Sequence, residues 1–500
     1  MSAEAPCAVT VTDTPTLDSF ANNDVLPFEH LTFDFSSRME APATLELAGL
    51  RDQELSLSRL SIQRMHSRSS LANLRAPPRD VVAAELVELL AGRKRHASCA
   101  VVDATIGAAR DLPSLLSLSE VCGVRIIASA GMTADEASAL HRTDADEAAE
   151  ALEAACNEIV SQLTKGVEVN YRPADASAAS AATLVRCGML VAGDAALLPP
   201  GSQPREAVLH VMGRAQMRTG APLLFALPAR AAGDGGQSAL TAVRELVAEH
   251  GASATGIVIG HAQNLLVQTE HGRGGKLLPT HSTPNTSMAT IRELLGTGAC
   301  LCFDGFGAEW TVPGYGGEAY DEAIMDTTDG GGSARGNRGF ELCGPLALRP
   351  PTDDAVARCV AALVEEGFAS QLILSQGTWT RLQYTSYGGC GLGHLRRCVC
   401  PLLARAGVTS KETLHALMAG NAARLLAWWR PAEKPPRLVK LWECHACHRS
   451  FEEAANPAEA LETDHVYYEK KDMRYCSMPC LSAHRKANFV LPFKCPPPPE

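Results

Sequence analysis

TGIVIGHA (Thr255–Ala262) and ACLCFDGFG (Ala299–Gly307) decide how this chain is read. Each is a short, continuous apolar run closing on glycine and one polar side chain, His261 in the first and Asp304 in the second. Continuous rather than alternating apolar character suits a strand buried on both faces, as in a parallel sheet. Working outward, the same texture recurs in VLPFEHLTF (from Val25), CAVVDATIG (from Cys99), VRIIASAG (from Val124) and CGMLVAG (from Cys187). It returns in APLLFAL (from Ala221) and QLILSQG (from Gln371), and helical patterns such as DVVAAELVELLAG (from Asp80) and TDDAVARCVAALVEEG (from Thr352) lie between the runs. A doubly wound open sheet has the same alternation. Eight β/α units in some 400 residues favour a TIM (β/α)8 barrel.

The remaining segments organise the chain around that barrel. Residues 1–20 read as an N-terminal extension, 21–430 as the barrel, and 431–440 (PAEKPPR and its continuation) as a proline-rich linker. Residues 441–490 form a small cysteine-bearing module, and 491–500 a proline-rich tail. Inside the barrel, residues 36–78 read as an irregular or helical excursion and 311–342 as a flexible loop.

Composition narrows the function classes. Hydrophobic residues make up 46 % of the chain and charged residues 20 %, which excludes a mostly disordered protein. A net charge of −11 argues against general binding to nucleic acid or anionic membranes. No apolar stretch is long enough to cross a bilayer, and the N-terminus lacks a secretory pattern. The 17 cysteines therefore read as reduced thiols in a cytoplasmic protein. Cys300 and Cys302 point to one strand face and read as core, and no cysteine is flanked by clear catalytic partners.

In a TIM barrel the chemistry sits where the strands end. The ends here carry FEH (Phe28–His30), IGH (Ile259–His261), FDGFG (Phe303–Gly307) and LSQG (Leu374–Gly377). With VVDATIGAARD (Val101–Asp111), YGGCGLGHL (Tyr387–Leu395) and the ending GNAARLLAW, they resemble, in order, the phosphotriesterase-related family of the amidohydrolase superfamily. That resemblance implies a two-metal hydrolase of esters or amides, with a metal-activated bridging water. Its ligand set is an HxH pair on the first strand, a bridging lysine or glutamate on the fourth, single histidines on the fifth and sixth, and an aspartate on the eighth.

Carried onto this sequence, the set is depleted. His30 and His261 are kept. The first histidine falls on Phe28, the bridge on Val191 or its neighbour Ala192, the fifth-strand histidine on Ala226 and the aspartate on Gly377. Two divalent ions need anionic ligands to coexist, and both anionic positions are lost. Glu29, Asp34, Asp304, His281 and Gln376 are nearby polar residues that could be recruited. The loss of four of six ligands makes a barrel metal doubtful and favours a non-catalytic binding or scaffold protein over the alternative, a divergent metal-dependent hydrolase.

The C-terminal module carries a stronger metal signal. Cys444 and Cys447 form C-x2-C, and Cys476 and Cys480 form C-x3-C at the start of a helix-like segment. Four thiolates at this spacing point to structural zinc. A knuckle and hairpin followed by a helix with the second pair resembles a treble-clef zinc finger. His445, His448 and His484 are alternative ligands. Ten Lys/Arg against eight Asp/Glu between Lys434 and Lys494 do not favour phosphate-backbone binding, so the expected partner is a protein rather than nucleic acid.

Overall fold

The computed structural model describes residues 6–20, 24–40, 45–90, 99–142, 144–171, 181–227, 236–266, 269–271, 277–279, 284–308, 350–429, 439–454 and 467–490. His281, the expected loop at 311–342, the linker and the tail lie outside the described residues or almost wholly so.

All eight apolar runs become strands of one parallel sheet. They are β1 (Val25–Glu29), β2 (Ala100–Asp103), β3 (Arg125–Met132), β4 (Met189–Ala192), β5 (Leu223–Ala226), β6 (Ile257–Gly260), β7 (Cys300–Phe303) and β8 (Leu372–Leu374). They pair in chain order from β1 to β8. The sheet's two edges then meet. Gly377 N–H donates to the Phe28 carbonyl at 3.1 Å and His30 N–H to the Thr378 carbonyl at 2.7 Å. Ser375 Oγ, 3.1 Å from the Phe28 amide, accepts its hydrogen. The fold is a TIM barrel.

The helices α1 (Arg79–Leu90), α2 (Leu112–Cys122), α3 (Ala145–Thr164), α4 (Gln203–Thr219), α5 (Gln237–Ala248), α6 (Pro284–Gly296), α7 (Asp353–Glu365) and α8 (Cys400–Arg405) follow the strands. Capping chemistry starts several of them: Asp144 accepts from the amides of Asp146 and Glu147, and Thr352 from that of Ala355.

Two apolar layers follow from the strand period of two. One face of each strand packs against the helices, and the other fills the barrel with Val25, Phe28, Val102, Ile127, Met189, Val191, Leu224, Val258, Cys300, Cys302 and Ile373. Cys300 and Cys302 are thus core, as their spacing indicates. The N-terminal segment packs onto the barrel rather than standing outside it. Ala8 and Phe20 join the interior cluster, and Cys7 exchanges backbone hydrogen bonds with Trp429. Sequence reading omits two antiparallel hairpins, Val167–Tyr171/Ala181–Val185 between α3 and β4 and Thr269–His271/Leu277–Pro279 between β6 and α6. The excursion after β1 is built of 3-10 turns and the short helix Leu60–Met65.

The C-terminal module has two hairpins and a helix. Strands β9 (Val439–Glu443) and β10 (Ser450–Ala454) pair Trp442 with Phe451, whose rings stack at 4.9 Å. Strands β11 (Tyr468–Lys470) and β12 (Met473–Tyr475) turn through Lys471 and Asp472, both in the left-handed region as a tight hairpin turn requires. Helix α9 (Met478–Lys486) closes the module, with Ser477 capping it by accepting from the Cys480 amide.

Candidate functional site

The ends of β1, β6, β7 and β8 bring the two retained imidazoles to one side of the barrel. β1 reaches that position through an irregularity: three residues, Pro27 to Glu29, advance against two on β2. Proline lacks the N–H a regular ladder needs, so the bulge falls there. It turns Phe28 into the barrel and Glu29 out of it.

Phe28 then stands between the histidines. Its ring meets His261 edge-on at 4.7 Å and His30 edge-on at 5.7 Å. His30 Nδ1 lies 2.9 Å from Thr105 Oγ1, and Phe35 covers the imidazole from another side at 5.2 Å. Burial, with Arg38 and His261 nearby, holds the His30 imidazole down at about 3, so it is neutral at ordinary pH.

His261 is organised by Asp304. The backbone N–H of His261 donates to Asp304 Oδ2 at 2.8 Å and its Nδ1 lies 2.6 Å from Oδ1. Gln263 also donates to Oδ1, at 2.9 Å. A carboxylate accepts only, so His261 Nδ1 carries a proton and donates it to Asp304. His261 adopts φ 53°, an uncommon conformation for a non-glycine residue, and its two bonds to Asp304 hold it there.

The other expected ligand positions are apolar in space as well as in sequence. Val191 belongs to the barrel interior while its neighbour Ala192 packs on the helix side, so the alternation selects Val191 as the inward position. Ala226 lines the same interior cluster. Gly377 has φ +58°, and a Cβ there would lie 2.6 Å from the Asp304 carbonyl oxygen. A side chain at 377 is excluded by the backbone that closes the barrel.

The recruitable polar residues are committed elsewhere. Glu29 is fully buried and accepts from Ser375 Oγ at 2.7 Å and from the amides of Gln376 and Thr378 at 2.8 and 2.7 Å. Burial pushes its carboxyl up to about 7 against those hydrogen bonds. Asp34 faces Ser36 and Arg75, and Gln376 turns its amide to the Gly391 carbonyl. Among the described residues, no three His, Cys, Asp or Glu side chains in the barrel converge on a point one ion could occupy. Two imidazoles that both pack against one aromatic ring do not match the chemistry of a dinuclear centre. A cleft of about 380 Å³ lies beside the strand ends, lined by Leu31, Asp34, Arg79 and Arg110 among others, and contains neither histidine.

The module does gather ligands. The sulfurs of Cys444, Cys447, Cys476 and Cys480 lie within 4.8 Å of one another, with Cys447–Cys476 at 3.5 Å and Cys476–Cys480 at 3.6 Å. Bonds of about 2.3 Å in a tetrahedron place sulfurs roughly 3.8 Å apart, so the set has the size of a four-thiolate site. The alternative histidines are engaged elsewhere. His445 Nδ1 accepts from the Arg474 amide at 3.1 Å, His448 Nδ1 sits 2.6 Å from Glu443, and His484 bonds Tyr475 OH and the Val490 carbonyl.

In the barrel, His394 Nε2 lies 2.6 Å from Oδ2 of Asp353, at the start of α7.

A profile of the phosphotriesterase family matches residues 24–426. The chain belongs to the phosphotriesterase family. A second profile, the Vms1-associating treble clef domain, matches residues 439–492. Among curated relatives, an N-acetyltaurine hydrolase of Tetraodon nigroviridis is 24 % identical over 387 residues, covering 77 % of this chain and 89 % of the relative. A phosphotriesterase-related protein of Nematostella vectensis is 22 % identical over 390 residues, with the same coverage of each. Among solved structures, a resiniferatoxin-binding protein from Rhodobacter sphaeroides aligns with a TM-score of 0.58 at 23 % identity, over 84 % of this chain and 95 % of that one. An amidohydrolase from Mycoplasma synoviae aligns with a TM-score of 0.53 at 16 % identity, over 87 % and 94 %. At such identities these structures show the fold alone. This family member therefore pairs a phosphotriesterase-type barrel with a treble-clef domain.

Proposed function

We propose that the barrel does not carry out two-metal hydrolysis and serves as a non-catalytic binding or scaffold domain, joined to a zinc-bearing interaction module. The observation that carries this reading is Phe28. Its ring occupies the ground between His30 and His261 where a first-strand ligand would stand. Val191, Ala226 and Gly377 complete the replacement, and neither anionic position of the family's ligand set keeps a charge to offset the repulsion between two cations. His30 and His261 then act as hydrogen-bonded mouth residues held by Thr105 and Asp304.

In this reading Cys444, Cys447, Cys476 and Cys480 hold one structural zinc. Residues 441–490 are the zinc module, 431–440 its linker to the barrel of 21–430, 1–20 and 491–500 flank them, and the partner is a protein. In this reading the chain works in the cytoplasm, and no described helix is long and apolar enough to cross a membrane.

A second reading has one observation in its favour. The His261–Asp304 pair has the form of an oriented general base, and curated relatives are named for hydrolysis of N-acetyltaurine. A divergent hydrolase of N-acyl amides or esters would use it. The test is metal content and turnover of the full-length protein. After loading with zinc, cobalt or manganese and dialysis, one ion per chain and no hydrolysis of N-acetyltaurine, aryl esters or phosphotriesters is expected. Three tightly held ions, or turnover lost in His261→Ala, would establish the hydrolase instead.

A further inference from the structure

We propose that the cleft between the loops that follow β1 and β2 binds a small organic acid, a carboxylate carried on an apolar body. The inference gives a ligand class to the binding role proposed above and rests on that reading. The cleft stands at the strand ends but apart from His30 and His261.

Its shape and lining suit a small molecule. A volume of about 380 Å³ falls in the range of such sites, roughly 300–1,000 Å³. The walls come from the segment after β1, the loop after β2 and the helices α1 and α2. Leu31, Phe33, Pro77, Val82 and Leu118 give it apolar surface, and all five are buried. An apolar body seated on them would leave water, which favours binding in proportion to the area covered.

The charged side chains of the lining are engaged in different ways. Two are aspartates and two are arginines. Asp111 caps α2, accepting from the Ser114 amide at 3.1 Å and from its hydroxyl at 2.6 Å. Asp34 accepts from the Ser36 amide at 2.9 Å and faces Arg75 at 3.6 Å. Both carboxylates therefore have donors of their own. The arginines are held by neutral groups instead. Arg79 donates to the hydroxyls of Ser114 and Ser117 at 3.0 and 3.2 Å. Arg110 donates through Nη1 to the Ser129 carbonyl at 2.7 Å and to Gln162 Oε1 at 2.9 Å. Neither guanidinium forms an ion pair among the described residues.

Serine hydroxyls fix the Arg79 guanidinium without neutralising it. They occupy two of its five N–H donors, which leaves a donor edge for one planar carboxylate. Thr32 adds a second donor to the lining: its hydroxyl is buried and has no hydrogen-bond partner in the protein. An acceptor brought by a ligand would satisfy it. A positive charge, an orphan hydroxyl and an apolar floor in one concavity select an acid with a hydrophobic body over a bare inorganic anion or a neutral amide.

The test is a fluorine NMR titration of the full-length protein with 4-fluorophenylacetate and with its neutral counterpart, 4-fluorophenylacetamide. The acid should saturate with a Kd at or below about 1 mM and bind at least about tenfold more tightly than the amide. Arg79→Gln and Thr32→Val should each weaken the acid at least about threefold, and Arg79→Gln should leave the amide unchanged. Circular dichroism and a thermal transition like those of the wild type mark both variants as folded. Acetate and inorganic phosphate, which lack the body, should displace the acid at least about tenfold less well than phenylacetate. Equal affinity for acid and amide, no saturation by about 10 mM, or an acid affinity that neither variant moves overturns the site. Phosphate competing as well as phenylacetate overturns the apolar part of the ligand. The titration involves neither metal nor turnover, so hydrolysis by the barrel would overturn the non-catalytic reading without touching this result.

Discussion

Gly377 and Glu29 set the terms at the residue scale. A Cβ at 377 would press on the Asp304 carbonyl while the backbone holds a left-handed φ. Gly377→Ala should therefore cost about 2–4 kcal/mol in urea unfolding, and Gly377→Asp at least as much, without creating metal affinity. Glu29 makes a pH prediction. Its carboxyl rises from 4.5 to about 7 because burial penalises the charged form. Its contribution to stability is fully present below the unfolded value and is lost as pH rises through the folded one, up to about 3 kcal/mol in all. His30 runs the other way: its lowered imidazole gives stability that is lost as pH falls from about 6.5 towards about 3. Comparison of wild type with Glu29→Gln at pH 5 and 7.5 separates the two. The variant should lose less stability over that interval, and an unchanged difference would contradict a buried, proton-holding Glu29.

Between elements, α1 pins the loop that follows β8. Glu85, buried on α1, accepts from the Thr385 amide at 2.6 Å, from the Thr385 hydroxyl and from the Leu392 amide at 3.2 Å. Removing it leaves the buried Leu392 amide unpaired, at a cost of about 1–3 kcal/mol. Glu85→Ala should lower stability by at least that much and speed hydrogen exchange at the Thr385 and Leu392 amides, while the amides of β4 and β5 keep their protection. The eight strands were legible because each is a continuous apolar run. The hairpin at Val167–Tyr171 was not. Its strand alternates and is half exposed, and it sits in an insertion that the β/α rhythm does not require.

For the whole molecule, the barrel and the module should separate on metal removal. The module's apolar cluster is small, built around Trp442, Cys444, Ala446, Tyr475 and Cys480, two of them expected metal ligands. Folding of so small a core depends on its ion. A strong chelator should remove one zinc per chain and shift the Trp442 fluorescence, and the barrel's thermal transition should stay within about 2 °C of its original position. Loss of barrel structure on chelation would place metal in the barrel. Cys476→Ser should reproduce the chelated state without a chelator.

By itself the sequence determined the barrel and the treble-clef pattern, because apolar runs and cysteine spacings are local facts. The tertiary structure decided what those residues do together. It placed the Phe28 ring between His30 and His261, gave Asp304 to His261, and turned Val191 rather than Ala192 inward. It denied the four thiolates' place to His445, His448 and His484, and it joined Asp353 to His394. The physical reason is closure. When β8 meets β1, residues hundreds of positions apart share one rim, and whether a side chain binds an ion, a proton or its neighbour depends on distances of a few ångströms that no spacing along the chain records.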